Sequence, residues 1–114
     1  MITEPLSFEA LPGRDESIRI YRLTGPLVIN TMFELQDALA KDHPALLIFD
    51  LSGVPYMDSA GLGVIVNCHV SACRRGGKVV VAGVSPRILD LFKITRVDNV
   101  LTMAPTVEAA EALA

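Results

Sequence analysis

The segment Asp50-Leu51-Ser52-Gly53-Val54-Pro55-Tyr56-Met57-Asp58-Ser59-Ala60-Gly61-Leu62-Gly63 decides how the rest of this chain is read. It follows Ala45 to Phe49, a continuous apolar run of the kind found in a parallel strand buried on both faces. Asp50 to Gly53 reads as a turn-rich connection. Beyond Asp58, Leu62, Ile65, Val66, His69 and Cys73 recur at helical spacing until Arg74, Arg75, Gly76 and Gly77 supply basic residues and a glycine stop. Asp58 is a good helix cap, so Ser59 falls in the first turn of a helix that leaves a buried strand. The ends of such strands are where α/β proteins place their sites.

Upstream, Ile18 to Thr24 alternates Ile18, Ile20 and Leu23 with Arg19 and Arg22, the period of a half-exposed strand that Gly25-Pro26 ends. Thr31-Met32-Phe33-Glu34 fits a capping box, with Met32, Leu35 and Leu39 following at helical spacing to about Lys41. Downstream, Lys78 to Ala82 is a short β-branched run. Ser85-Pro86 starts a helix to about Phe92, Val100 to Met103 makes a last strand, and Thr106 caps a final helix from Val107 towards Ala114. This alternation predicts an α/β fold: a four- or five-stranded mixed, mostly parallel sheet with about four helices. Residues 1–114 read as a single domain, with residues 1–16 loose apart from an edge strand near Leu6 to Ala10.

Composition narrows the function. The 114 residues, 51% of them hydrophobic, suffice for one compact core. The longest apolar candidate, around Ala60 to Cys73, carries Asn67, His69 and Ser71, so no membrane insertion is expected. Met1 to Ala10 lacks the basic start and apolar run of a signal peptide, which predicts a cytoplasmic protein. A net charge of −3, with only Arg74, Arg75 and Lys78 clustered, argues against a nucleic-acid surface. Cys68 and Cys73 are expected to be reduced and at or near the core.

Around Ser59, Gly61 and Gly63 leave little bulk, so a partner can approach the hydroxyl closely. The expected contact set is Asp58, Ser59, Ala60, Gly61, Leu62, Gly63, Val64 and Asn67. Val64 and Asn67 enter it because the helical period turns them away from Leu62, Ile65 and Val66. No cofactor, metal or catalytic residue is expected. Gly61-x-Gly63 lacks the third glycine of a dinucleotide fingerprint, and Cys68, His69 and Cys73 lack the spacing of a closed zinc site. A serine hydrolase is a poor alternative, because Met57-Asp58-Ser59-Ala60-Gly61 is not the nucleophile elbow and only His43 and His69 are available as bases.

The quoted segment, together with Gly76-Gly77-Lys78 and Ser85-Pro86-Arg87-Ile88-Leu89-Asp90-Leu91-Phe92, resembles the STAS domain of anti-sigma-factor antagonists and sulfate-transporter tails over nearly the whole chain. The resemblance implies phosphorylation at Ser59, the serine directly after the motif aspartate. The modifying partner would be both anti-sigma factor and serine kinase, and a PP2C-type phosphatase would reverse it. It further implies that the unmodified form binds the anti-sigma factor and frees a sigma factor. A STAS role in a stressosome-like complex or a lipid or anion transport assembly is the alternative, and oligomeric state is left open. Two departures stand out. Gly25-Pro26-Leu27-Val28-Ile29-Asn30 lacks the acidic residue that relatives often carry there, and Ala60 replaces a second serine found in some members, leaving Ser59 as the only motif hydroxyl.

Overall fold

The computed structural model describes residues 4–114; Met1 to Thr3 lie outside the described residues. Strands β1 (Ser7–Pro12), β2 (Ile18–Thr24), β3 (Leu46–Gly53), β4 (Lys78–Ala82) and β5 (Thr102–Ala104) form one sheet in the order β1-β2-β3-β4-β5. β1 runs antiparallel to β2, and the remaining pairs are parallel. Helices α1 (Phe33–Ala40), α2 (Ser59–Arg74) and α3 (Pro86–Ile94) make the crossovers, and α4 (Val107–Glu111) ends the fold.

Each crossover steps to the next strand in the same direction. Right-handed connections therefore put α1, α2 and α3 on one face of the sheet. The core shows this arrangement: Tyr21, Leu23, Phe49, Leu51, Val79 and Val81 pack with Leu35, Ile65, Ile88 and Phe92. The other face is smaller, with Ala110 of α4 set against Ile18, Ile20, Ile48, Val80 and Ala82. Full burial of each of Phe49, Phe92 and Ile48 contributes about 1.5–3 kcal/mol.

Several local expectations are corrected. β2 is not half-exposed, because α4 and the main core take up its two faces: Ile18, Ile20, Tyr21 and Leu23 are all buried. Asp50 to Gly53 is not a turn but the continuation of β3, and Leu51 still alternates into the main core. Asp50 tolerates its burial because Oδ1 accepts from the Ser52 N–H at 3.1 Å and Oγ at 2.7 Å, and Oδ2 lies 3.6 Å from Arg22 Nε. The capping box at Thr31 does not form. Thr31 Oγ1 instead accepts from the Val28 N–H at 3.0 Å and donates to the Pro26 carbonyl at 2.8 Å, closing the loop before α1, and Met32 caps the helix without a side-chain bond. The last strand starts at Thr102, two residues later than expected, because Val97–Asn99 makes a 3₁₀ turn.

The caps at Ser85 and Thr106 are as expected, with Oγ accepting from Ile88 N–H at 3.3 Å and Oγ1 from Ala109 N–H at 3.1 Å. Beyond α1, Asp42 Oδ2 accepts from the Tyr21 hydroxyl at 2.9 Å and from Arg19 Nε at 3.0 Å, fixing the α1–β3 connection to β2.

Candidate functional site at the start of α2

Ser59 is the first residue of α2 and is exposed at the end of the helix that follows β3. Its surroundings are set by Asp58, whose extended backbone makes it the N-cap: Oδ1 accepts from the Gly61 N–H at 2.9 Å. The other oxygen, Oδ2, accepts from the Ile29 N–H at 3.0 Å and so ties the β2–α1 loop to the same helix end. The backbone reinforces the tie, with Leu27 N–H on the Tyr56 carbonyl at 3.2 Å and Asp58 N–H on the Leu27 carbonyl at 3.3 Å. Leu27 and Met57 form a parallel bridge, which anchors the loop and the segment before α2 to one another.

The two motif glycines have different tasks. A Cβ at Gly61 would lie 2.1 Å from the Leu27 carbonyl oxygen, so this glycine admits the loop backbone against the helix. A Cβ at Gly63 would meet nothing within 4 Å, so that glycine keeps open the outer surface one turn beyond Ser59.

The expected contact set therefore divides. Ser59 and Asn67 are exposed, and Ala60 and Gly63 are partly so. Asp58 is half-buried and occupied by two backbone amides. Gly61, Leu62 and Val64 are buried, and the expectation of an exposed Val64 is corrected: it is 4% exposed. The inward arc of α2 runs through Gly61, Leu62, Val64, Ile65, Cys68 and Ala72, with Val66 partly buried against the core and Cys73 outside it, because α2 packs on the sheet with α1 beside it. Cys73 is accordingly exposed, contrary to its expected place near the core, with its Sγ 3.8 Å from Nε2 of a half-buried His69. Burial pushes the Cys68 thiol up to about 11, with Arg75 pulling slightly the other way.

The periodicity missed the loop's contribution. Ile29 is 47% exposed, and Phe33, at the start of α1, is 58% exposed. Both are large apolar side chains, Ile29 on the loop whose backbone Asp58 ties to the start of α2 and Phe33 where that loop enters α1. On the other flank, the guanidinium of the exposed Arg87 lies 5.3 Å from the centre of the Tyr56 ring.

Among the described residues, neither histidine lies beside Ser59. His43 precedes β3 and Ser59 follows it, which separates them by about the length of the strand, roughly 25 Å. His69 lies ten residues along α2, a rise of about 15 Å from Ser59.

A sheet with sequential parallel strands and three helices on one face, ending in a capped, open serine at a strand-to-helix turn, defines the class. The sequence profile of the STAS domain matches residues 12–110, and the chain belongs to that family. An anti-sigma F factor antagonist of Paenibacillus polymyxa is 32% identical over 87 residues, covering 68% of this chain and 74% of that protein. An anti-sigma-B factor antagonist of Listeria monocytogenes is 41% identical over 56 residues, 49% of each chain, so the match spans about half the length of that relative. In structure, an anti-sigma factor antagonist from Mycobacterium paratuberculosis superposes with a TM-score of 0.85 at 20% identity, covering 98% of this chain and 97% of that one, a likeness of fold.

Proposed function

We propose that this STAS domain is a cytoplasmic anti-sigma factor antagonist: a binding module, not an enzyme, switched by phosphorylation of Ser59. The observation that carries this reading is the placement of Ser59. It is exposed, first in α2, held by the Asp58 cap and faced by the bare surface at Gly63. The names of the relatives from Paenibacillus and Listeria support its antagonist part.

The partner is an anti-sigma factor that is also a serine kinase, and a PP2C-type phosphatase restores the hydroxyl. Contact falls on Ser59, Ala60, Gly63 and Asn67, extended by Ile29 and Phe33, whose exposure suits an apolar interface core. Asp58, Gly61, Leu62 and Val64 act from within, by fixing that surface. A phosphate adds about 1.5–2 negative charges beside Asp58. Burying it in an interface without a cation costs about 3 kcal/mol, roughly a hundredfold in affinity.

The test is incubation with ATP and each candidate kinase of the host, mass spectrometry of the Ser59 peptide, and titration of the anti-sigma factor against both forms. Stoichiometric modification at Ser59 with a loss of about a hundredfold is expected. Modification elsewhere, or equal affinity of the two forms, sinks the reading.

A further inference from the structure

Between α1 and α2, away from Ser59, lies a groove of about 300 Å³. Its floor is apolar, formed by Leu39, Leu47, Val64 and Cys68. Leu39, Leu47 and Val64 are buried beneath it. The Cys68 thiol, held neutral up to about pH 11 by burial, behaves there as one more apolar group.

Polar groups gather along the rim. Asn67 and Ser71 stand on the α2 side, Gln36 on the α1 side, and His43 and Arg75 close one end. His43 and Arg75 also share the adjoining cavity with Pro44 and Gly77, which places them together. The guanidinium is near enough to act on the Cys68 thiol. The one carboxylate of the lining, Asp42, is already engaged by Arg19 and Tyr21. The free charge at that end is therefore positive.

An apolar floor with a few convergent polar groups and a cation at one end is the form of a small-molecule site. We propose that the groove binds a small amphipathic carboxylate, its hydrocarbon tail on Leu39, Leu47 and Val64 and its anionic head at Arg75 and His43. At about 30 Å³ per heavy atom the volume suits a ligand of roughly ten heavy atoms, the size of a straight-chain acid of about eight carbons. For so small a ligand a dissociation constant on the order of 1 mM is expected. Because Val64, Asn67 and Ser71 belong to the helix that begins at Ser59, the ligand would sit on the same rigid element as the switch. The assignment is independent of the switch itself.

The experiment is an amide-resolved NMR titration of the uniformly ¹⁵N-labelled protein with sodium octanoate, with octanamide as the uncharged control. Saturable shifts centred on Leu39, Leu47, Val64, Asn67 and Ser71 are expected, with octanamide at least about fivefold weaker. Arg75→Gln changes an exposed side chain at the α2 terminus and should remove the preference for the acid. Ser71→Phe, also at an exposed position, should block the groove and abolish both titrations while the remaining spectrum is kept. No saturation by about 10 mM, ten times the expected constant, overturns the proposal. So do shifts centred on another cavity, equal binding of acid and amide, or unchanged binding in Ser71→Phe.

Discussion

Asp58 holds Ile29 by its backbone: Oδ2 accepts from the Ile29 N–H at 3.0 Å while Oδ1 of the same carboxylate caps α2 at the Gly61 N–H, 2.9 Å away. One side chain thus sets the relation between the serine-bearing helix and the loop carrying the exposed Ile29. A substitution there acts on the fold and on the partner surface together.

Asp58→Ala should cost about 2 kcal/mol, the sum of a lost cap and a lost charged hydrogen bond, or roughly 10 °C in melting temperature. Asp58→Asn keeps one acceptor oxygen for Gly61 but turns an amide N–H₂ towards the Ile29 N–H, so about half the loss is expected. Thermal melts of the two variants decide it. Equal losses would mean that the Gly61 cap contributes nothing, and no loss in Asp58→Asn that the Ile29 bond contributes nothing.

Phosphorylation of Ser59 should leave the fold intact. The group would sit at a helix N-terminus, where free amides and the positive dipole end favour negative charge. Circular dichroism of the phosphorylated protein should show a melting temperature within about 3 °C of the unmodified form, equivalent to under 1 kcal/mol. A drop of 10 °C would turn the switch from a surface effect into an unfolding effect.

The local geometry around Ser59 is legible because Asp58, Ser59 and the glycines are local signals: a cap, an exposed first-turn hydroxyl and small residues around it. The edges of β4 and the caps at Ser85 and Thr106 were legible for the same reason. Long-range packing was not. Val64 was assigned outward because the apolar positions of α2 fit two helical phases, and only α1 and the sheet choose between them. Asp50-Leu51-Ser52-Gly53 has turn composition, yet it stays extended because Arg22 and Ser52 satisfy the carboxylate. Thr31 bonds within its loop in preference to capping, a competition open to any threonine near a helix start.

Alkaline pH should destabilise the protein through the buried Tyr21 and the half-buried Cys68. Burial, helped by the hydrogen bond to Asp42, raises the Tyr21 hydroxyl well above its ordinary 10.0, and burial raises the Cys68 thiol from 9.0 to about 11. Both groups are neutral in the folded state and ionise more readily when unfolded. Their contribution is therefore full below pH 9 and is lost as pH rises, from Cys68 between 9 and about 11 and from Tyr21 above 10. Urea midpoints measured from pH 8 to 11 should fall, and Tyr21→Phe should flatten the upper part of that fall while losing about 1 kcal/mol at pH 7 for the missing hydrogen bond. An unchanged slope in Tyr21→Phe would rule out its part.

The two motif glycines give the sharpest separation of stability from binding. Gly61→Ala would drive a methyl carbon to 2.1 Å from the Leu27 carbonyl oxygen, a backbone atom that can yield only if the β2–α1 loop moves. A loss of about 2–3 kcal/mol is expected, with the Asp58 to Ile29 bond disturbed in the same variant. Gly63→Ala meets nothing within 4 Å and lies in the interior of α2, so the helix should gain about 0.5–1 kcal/mol from the lower entropy of its unfolded chain. That added methyl stands on the surface where the partner is proposed to dock, one turn from Ser59, and should lower affinity for the anti-sigma factor about tenfold while the protein itself becomes more stable. Melting temperature and affinity, measured on both variants, should thus move in opposite directions for Gly63→Ala and together for Gly61→Ala. A Gly63→Ala protein that is stabilised and binds as tightly as wild type would remove the outer face of α2 from the interface.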